Sequence, residues 1–378
     1  MKTIEIIPVV KDYEWGNADY IPSLIGGFTG KAQAELWMGT HPLGEATLKN
    51  GEKLSSYLEK HQDVVGADKL PLLFKILAID SPLSLQCHPN IKQAREGWAR
   101  EEKLRARGEG VNYQDDNEKE EVIAALSPIT AMCGFRAFDE ICANLKSLIP
   151  SSYYKYLKDA KNNKDLFFAL YDLKDSEKND LLVEFRTALE LLPESSWNGS
   201  FMTAKGISLK CFKMYPGDIG VVFPFILNVV NLRIGEALYL KPGTLHAYVY
   251  GNGVELMSAS DNVLRGGLTS KRMDLEELGR IMSFDSEEIK KSAISYDSFG
   301  RKCYDTPSSV FKLMEASSGD YKITQSACMI LLVTEGKAQI REEDGSMLLE
   351  KGSIVLIPES LKDYTLNVHG EVFMAEVL

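Results

Sequence analysis

Two side chains that can bind a metal stand two positions apart near the end of a predicted strand. In an extended chain, residues i, i+2 and i+4 share a face, so Ser84, Gln86 and His88 point the same way. The residues between them are apolar and face a core. A single histidine near a strand end is often only a hydrogen-bonded residue. Because His88 shares its face with a second donor, the pattern also allows a metal site.

Two more segments offer ligands of the same kind. Glu121 adjoins the start of an apolar strand, and His246 lies near another predicted strand. Antiparallel strands can bring such groups to one cavity. Two imidazoles, one carboxylate and one amide oxygen suit Zn²⁺, and would also accept Co²⁺, Mn²⁺ or Ni²⁺. His41, beside Pro42, has no neighbouring donor in the sequence, and we interpret it as a core or turn residue.

A third polar stretch, residues 255–271, holds paired glycines and two cations. Its polar composition is typical of a loop rich in turn-forming residues. It also allows an anion site, because Arg265 offers a planar fork for phosphate or oxyanion charge and Lys271 a compact positive charge.

Composition limits the classes of function. The chain has 378 residues, 44% hydrophobic and 26% charged, which is ordinary for a globular protein of two or three structural units. A formal net charge of -11 argues against general binding to nucleic acid or anionic membranes. We expect no signal peptide, no transmembrane segment and no disulfide framework among the six scattered cysteines, and therefore a cytoplasmic protein.

The elements that must position these residues are mainly strands. Leu72–Ile79 is predicted to be a buried strand, residues 53–60 a short helix and Ile91–Arg107 a charged helix. Residues 138–192 have helical periodicity and are expected to cover or frame a sheet. From Leu209 to the end, short apolar runs between glycine turns predict strands of a β-barrel or sandwich.

A weak internal repeat suggests that two β units are related. Residues 235–248 resemble residues 352–364, and the first copy ends in Pro242-x-x-x-His246-x-Tyr, where the second has Pro358-x-x-x-Lys362-x-Tyr. If the copies are duplicated barrels, only the first keeps a metal-binding side chain at that position.

Several motifs, in order along most of the chain, resemble those of the type I phosphomannose isomerases, zinc enzymes of the cupin superfamily. The matching stretches are Tyr13-Glu-Trp-Gly16, Ala34-Glu-Leu-Trp-Met-Gly39, Pro82-Leu-Ser-Leu-Gln-Cys-His-Pro89, Cys133-Gly-Phe135, Tyr215-Pro-Gly-Asp218, Pro242-Gly-Thr-Leu-His-Ala-Tyr248 and Ser260-Asp-Asn-Val-Leu-Arg265. The Gln-x-His-Pro and Ser-Asp-Asn-x-x-Arg stretches are quite specific together.

The resemblance implies a mainly β fold with a helical insert: two cupin-like antiparallel β-barrels or jelly rolls and an α-helical domain. It implies interconversion of mannose 6-phosphate and fructose 6-phosphate through an enediol, with one Zn²⁺ per chain and a small hexose phosphate as partner. The residues it implies are Gln86, His88, Glu121 and His246 as zinc ligands, Arg265, Glu255 and Lys119 as catalytic groups, and Ser84, Lys271 and Tyr248 as substrate contacts.

One stretch departs from the family pattern. The family usually has His-Lys-Pro-Glu before the third ligand, whereas this chain has Glu118-Lys-Glu-Glu121. Glu120 therefore competes with Glu121 for the ligand role. The departure also keeps open a non-catalytic sugar-phosphate binder, and a metal cupin of different chemistry, such as an oxygenase, is a further alternative.

The predicted division of the chain has four parts. Residues 1–137 and 205–305 form the metal-binding cupin domain, which residues 138–204 interrupt as the helical insert. Residues 306–378 form a C-terminal cupin-like domain without metal ligands. No oligomeric state is predicted.

Overall fold

The structure, a computed structural model, describes residues 2–66 and 69–378. The N-terminal part consists mostly of strands joined by short helices. Its strands are β1 (Ile4–Ile7), β2 (Val9–Lys11), β3 (Glu35–Met38), β4 (Thr47–Leu48), β5 (Leu72–Ile79), β6 (Leu85–Cys87), β7 (Glu121–Ala125) and β8 (Ile129–Phe135). Its helices are α1 (Tyr20–Ile25), α2 (Leu54–Lys60), α3 (Ile91–Arg100) and α4 (Glu102–Ala106).

A helical region follows, interrupted by one small hairpin. It contains α5 (Phe138–Leu148), α6 (Pro150–Ser152), a π-helical turn (Tyr153–Leu157), α7 (Asn163–Tyr171), α8 (Asp175–Leu191), β9 (Trp197–Asn198), β10 (Phe201–Met202), α9 (Ala204–Met214) and a 3-10 helix (Ile219–Phe225).

The remaining chain is again mostly β. It contains β11 (Leu227–Leu232), β12 (Ala237–Leu240), β13 (His246–Ser258), β14 (Leu264–Gly267), α10 (Leu275–Ile281), β15 (Ile294–Tyr296), β16 (Lys302–Tyr304), β17 (Phe311–Thr324), β18 (Met329–Glu342), β19 (Gly345–Glu350), β20 (Ile354–Ile357) and β21 (Asp363–Val377).

Two antiparallel sheets organise these strands. The first sheet has the order β11-β8-β13-β5-β3-β2, with β6 and β7 also on β13, β12 on β7 and β14 on β6. The second sheet has the order β15-β16-β17-β21-β18-β20-β1-β4, with β19 on β18. The first sheet is centred on β13, whose early residues pair with β6 and β8 and whose later residues pair with β5 and β7.

Three hydrophobic clusters hold these layers together. The helical region packs on the first sheet through a core that includes Phe167, Phe223, Leu85 and Met132. A second cluster joins the two sheets, with Phe74 from the first and Phe373 from the second. A third cluster fills the interior of the second sheet. The shared core means that neither sheet buries all of its apolar surface alone.

The predicted fold class is confirmed: a mainly β cupin-like chain with a helical insert. Among the described residues the strand orders are open, so neither sheet is a closed barrel. The division into four parts stays a prediction. The repeat has a structural counterpart, because β12–β13 and β20–β21 are each a four-residue strand followed by a long one.

Three element boundaries differ from the sequence predictions. The strands after the insert begin at Leu227, not at Leu209, because Ile207 and Cys211 are buried one helical turn apart in α9 and the Thr203 side chain caps that helix. The strand expected from residues 83 to 88 is shorter in the structure, where it consists of the three residues of β6. The helix expected from residues 91 to 107 is divided at Glu101 into α3 and α4.

Candidate active site

Three buried side chains from distant parts of the chain meet at the centre of the first sheet. The ligand atoms offered by His88, Glu121 and His246 all lie within 4.8 Å of one another. Each histidine places Nε2 at 3.4 Å from a different carboxylate oxygen of Glu121. All three residues are 2% exposed, so this cluster lies in the interior of the protein.

Strand pairing brings the three residues together. His246 is the first residue of β13 and lies opposite Gln86 of β6. Gln86 is two positions before His88 in the sequence. Gln86 in turn lies opposite Arg265 of β14. Glu121 is the first residue of β7 and lies opposite Met257 near the other end of β13. The long strand β13 thus begins with His246 and pairs with the two strands that supply Glu121 and lead to His88.

Backbone carbonyls fix how both imidazoles are turned. His88 Nδ1 lies 2.8 Å from the Asn262 carbonyl, and His246 Nδ1 lies 2.9 Å from the Thr244 carbonyl. A carbonyl accepts, so each Nδ1 carries a proton, and Nε2 is the nitrogen of each ring that is left to bind a metal. Burial, and then the Lys119 charge, lower the pKa of His88 to about 4, which keeps this ring neutral.

The cluster fits a bound metal ion. Among the described residues, His246 Nε2 and Glu121 Oε2 are buried without a hydrogen-bond partner, and a buried polar atom without a partner is costly. Two imidazoles and a carboxylate are borderline nitrogen and oxygen donors that suit Zn²⁺. Burial raises the pKa of Glu121, but the Lys119 charge outweighs burial and holds the pKa well below its usual value.

The structure also separates the two adjacent glutamates at this site. Glu121 lines a cavity of about 530 Å³ next to the cluster, whereas Glu120 is absent from that lining. Burial raises the pKa of Glu120, against a hydrogen bond from Ser308. Glu118 accepts from the Ile91 amide at 3.3 Å, at the start of α3. Of the three glutamates, only Glu121 is in the cluster with the histidines.

A cavity of about 530 Å³ opens beside the cluster. Its wall includes most of the residues named from the sequence: Ser84, Gln86, Lys119, Glu121, Tyr248, Glu255, Arg265 and Lys271. His88 and His246 are not part of this wall, but each lies 3.4 Å from the Glu121 carboxylate. Lys119 Nζ contacts the Glu121 carboxylate and lies 3.2 Å from His88 Nε2. The predicted site residues therefore converge on one place.

Two cations in this cavity have no carboxylate partner. Within residues 2–66 and 69–378, neither Arg265 nor Lys271 forms an ion pair with an acidic side chain. Burial lowers the pKa of Arg265, and burial together with the Arg265 charge lowers the pKa of Lys271. Two neighbouring cations that are partly removed from water make a site for a negatively charged group.

A buried charged network on the first sheet was missed from the sequence. Lys75 Nζ lies 3.1 Å from Glu255 and 3.9 Å from Glu35, and Trp37 donates its indole N–H to Glu35. Burial alone would lower the pKa of Lys75, but the charges of Glu255 and Glu35 raise it. The signal was present, because Lys75 interrupts an otherwise apolar strand and a buried lysine needs a partner.

His41, interpreted from the sequence as a core or turn residue, is buried next to a turn and also lines the cavity. It is 8% exposed, and its Nε2 lies 3.0 Å from an Asp261 carboxylate oxygen. Its Nδ1 accepts from the Leu43 amide at 3.2 Å, so Nε2 donates to Asp261. Nothing near His41 in the sequence indicated this pair, since Asp261 is 220 positions away along the chain.

Comparison with known proteins connects this geometry to a family. The pattern described as "Phosphomannose isomerase type I, catalytic domain" matches residues 4–138. The mannose-6-phosphate isomerase of Escherichia coli (strain K12) is 31% identical over 394 residues, covering 97% of this chain and 98% of its own. The human mannose-6-phosphate isomerase is also 31% identical, covering 86% and 84%. This chain belongs to the type I phosphomannose isomerase family.

Solved structures agree with this membership. The apo form of mannose 6-phosphate isomerase from Salmonella typhimurium has a TM-score of 0.90 at 28% identity, covering 100% of this chain and 99% of that one. A mannose 6-phosphate isomerase bound with zinc and yttrium has a TM-score of 0.88 at 29% identity and covers 100% of both chains.

The enzyme is therefore a mannose-6-phosphate isomerase with one Zn²⁺ per chain as its cofactor. Both predictions are confirmed, and the comparisons favour the isomerase over the oxygenase and the non-catalytic binder. Among the described residues, no helix has both the length and the apolarity that a membrane crossing requires.

Proposed function

We propose that this isomerase interconverts mannose 6-phosphate and fructose 6-phosphate through an enediol in the cavity of about 530 Å³. The observation that carries the proposal is that one cavity wall holds both the Arg265–Lys271 pair, without carboxylate partners among the described residues, and the buried carboxylate of Glu255. The first can hold a phosphate and the second can move a proton.

The proposed zinc ligands are Gln86, His88, Glu121 and His246. His88 and His246 present Nε2 because backbone carbonyls hold their Nδ1 protons, and Gln86 lies opposite His246 across the strand pair. When bound, zinc supplies a positive charge that polarises substrate oxygens and stabilises oxyanion charge. We also propose that Lys119, in contact with Glu121, contributes positive charge to the same place.

Glu255 is the proposed base that transfers the proton between C1 and C2. It is 3% exposed, and burial raises its pKa, against the Lys75 charge. A carboxylate with a raised pKa is a stronger base at neutral pH. The Lys75 ammonium at 3.1 Å favours the ionised form of Glu255 and fixes its position. Aldose and ketose exchange when the proton leaves C2 and returns to C1.

The other proposed contacts bind and orient the substrate. Lys271 and Ser84 are proposed to hold the phosphate, and Arg265 is proposed to neutralise the phosphate or the developing enediolate. Burial and the charges of Glu255 and Glu121 raise the pKa of Tyr248 well above its usual value. The Tyr248 hydroxyl therefore stays protonated and can donate to a substrate oxygen.

The proposal also covers the cellular compartment and the binding partner of the enzyme. All six cysteines are buried and unpaired, which fits a reducing, cytoplasmic compartment. The net charge of -11 gives no support for nucleic acid as a partner, and the proposed partner is the hexose phosphate alone.

Isotope exchange in deuterated water tests the proton transfer. An enediol mechanism predicts that the wild-type enzyme incorporates solvent deuterium at C1 of fructose 6-phosphate and C2 of mannose 6-phosphate. Glu255→Gln should keep its zinc. Its turnover and its rate of deuterium exchange should both fall about 10²- to 10⁴-fold, which is the usual contribution of a general base. Proton NMR of the sugar phosphates measures the exchange.

The matched control is Glu315→Gln in the second sheet. Glu315 is also a buried carboxylate, 3.0 Å from a lysine, Lys302, but it lies outside the cavity. This control should exchange at a rate close to wild type. Undiminished exchange in zinc-loaded Glu255→Gln would remove Glu255 as the base, and wild-type turnover without deuterium incorporation would count against the enediol.

A further inference from the structure

One hydrogen bond joins the helical region to the backbone next to Arg265. Tyr171, the last residue of α7, donates its hydroxyl to the Gly266 carbonyl. Gly266 directly follows Arg265, the cation on the cavity wall. The predicted role of the helical insert was to cover or frame a sheet. This bond connects the insert to the backbone beside a proposed catalytic residue.

The segment that follows Arg265 has an irregular backbone. The pairing of β14 with β6 shifts register between Arg265 and Gly267, which is a β-bulge. Gly267 has φ +137° and Leu268 has φ +53°. Leu268 is the non-glycine residue with positive φ among those described. Such a conformation is costly for a branched side chain and persists only where neighbouring contacts impose it.

Contacts from the helical region impose this conformation. The Asp218 carboxylate accepts from the Thr269 amide at 3.4 Å and from the Gly220 amide at 2.7 Å. A Cβ on Gly267 would lie 3.1 Å from both Tyr171 Oη and Asp218 Oδ1. A Cβ on Gly220 would lie 2.9 Å from Leu268 Cγ. The segment therefore fits closely against three residues of the helical region.

The Tyr171 hydroxyl stays a donor across the working pH range. Burial and the Asp218 charge raise the pKa of Tyr171 well above its usual value. Its ring is held by aromatic neighbours, with Phe167 at 4.7 Å and Phe223 at 6.1 Å between ring centroids. The hydroxyl is thus fixed in place and does not touch the cavity.

We propose that Tyr171 is a positioning residue for Arg265: its bond to the Gly266 carbonyl keeps the bulged segment 265–269 in the shape that presents the guanidinium to the substrate. This inference rests on the proposed catalytic role of Arg265. Small displacements of a catalytic group cost large factors in rate. The helical region then contributes to catalysis through backbone geometry.

A double-mutant cycle on the full-length, zinc-loaded enzyme tests the inference. Tyr171→Phe removes only the hydroxyl and should lower kcat/KM about 10- to 100-fold, with zinc content and thermal midpoint close to wild type. In the Arg265→Ala background the same change should alter kcat/KM by less than about 2-fold, because the group that it positions is absent. Tyr156→Phe is the matched control in the same helical region, where the hydroxyl lies 3.5 Å from Asp180 on the surface.

The outcomes separate the two proposals. Wild-type activity of Tyr171→Phe, or an equal loss of kcat/KM in both backgrounds, would overturn the positioning role. In that case a large loss of turnover in Arg265→Ala would still support the proposed function. Near-normal turnover of Arg265→Ala alone would overturn the role of Arg265 and the positioning role with it.

A spectroscopic measurement keeps the test valid if Tyr171→Phe is less stable than wild type. The guanidinium NMR signal of Arg265, assigned by its loss in Arg265→Ala, should shift or broaden in Tyr171→Phe and stay unchanged in Tyr156→Phe. Asp218→Asn weakens the second support and should act in the same direction, again only when Arg265 is present. An unmoved Arg265 signal in both Tyr171→Phe and Asp218→Asn would contradict the proposal.

Discussion

The two sheets contain the same pair of elements, a four-residue strand followed by a long strand, with different chemistry at the junction. In the first sheet His246 begins β13 and faces Glu121 in a buried cluster. In the second sheet the corresponding Lys362 precedes β21, is exposed, and pairs with Glu359 at 3.5 Å. The repeat seen in the sequence thus preserves the scaffold but not the metal-binding side chain.

The interiors of the sheets differ in how their polar groups are satisfied. Arg301, buried in the second sheet, is paired with Asp297 at 2.7 Å and packs against the sulfurs of Met329 and Met374. In the first sheet, among the described residues, Glu121 Oε2 and His246 Nε2 have no hydrogen-bond partner. Similar scaffolds therefore produce a packed core when buried polar groups are paired, and a binding site when some are left for a ligand.

The largest expected effect comes from removing the proposed carboxylate ligand. Glu121→Gln should lose zinc and turnover by more than the roughly 10- to 100-fold that changes around a ligand shell cost. Glu120→Gln, one position away and outside the cavity, should keep both. Metal analysis and steady-state kinetics on the two variants measure this. Equal zinc loss in both variants would mean that Glu120 and Glu121 bind the metal together. Zinc loss only in Glu120→Gln would make Glu120 the ligand in place of Glu121.

The next largest effect is expected on substrate binding, in a comparison of two lysine variants. Lys271→Ala should raise the KM for mannose 6-phosphate about 10- to 100-fold, since a hydrogen bond to a charged group contributes roughly 1.5–3 kcal/mol, with a smaller change in kcat. Lys362→Ala should leave both constants unchanged, because Lys362 is exposed on the second sheet. An unchanged KM in Lys271→Ala would remove this residue from phosphate binding.

A core truncation in the second sheet should affect stability and spare the chemistry. Met374 is fully buried, and Met374→Ala should cost about 2–5 kcal/mol of unfolding free energy. Denaturant unfolding measures this loss. The zinc content and kcat of the folded variant should match wild type. A selective fall in kcat with unchanged stability would show that the second sheet takes part in catalysis.

The smallest effect is a pH-dependent one at Glu371 in the second sheet. Burial raises the pKa of Glu371, and the Glu315 and Glu335 charges add to it, against the Thr334 hydrogen bond. The folded protein therefore holds this proton more tightly than the unfolded chain. The group favours folding below its unfolded pKa of about 4.3, and that stabilisation is lost as pH rises through the folded pKa.

Glu371→Gln should accordingly be more stable than wild type at pH 8 and close to it at pH 4. Thermal midpoints at both pH values test this, with exposed Glu350→Gln as the control, which should show no such difference. A variant less stable than wild type at pH 8 would mean that the Thr334 bond outweighs the burial of the charge.

Local patterns predicted much of the fold and the candidate metal ligands, whereas Lys119, Glu255 and Tyr248 were named through the family resemblance. The buried strand Leu72–Ile79 was predicted to the residue, and the alternation around Gln86 and His88 predicted their shared face. Short-range spacing did not find partners brought together by long-range strand pairing, such as Lys75 with Glu255 or His41 with Asp261. The helix α9 was missed because its apolar residues were interpreted as a strand.

The central claim is that the first sheet holds a zinc-dependent isomerase site. The most direct measurement takes one preparation and follows metal content and the conversion of mannose 6-phosphate to fructose 6-phosphate before chelation, after chelation and after zinc is returned. We predict one zinc per chain, activity that falls with the metal, and recovery when zinc is restored. Stoichiometric zinc without conversion, or full activity after the metal is removed, would contradict the claim.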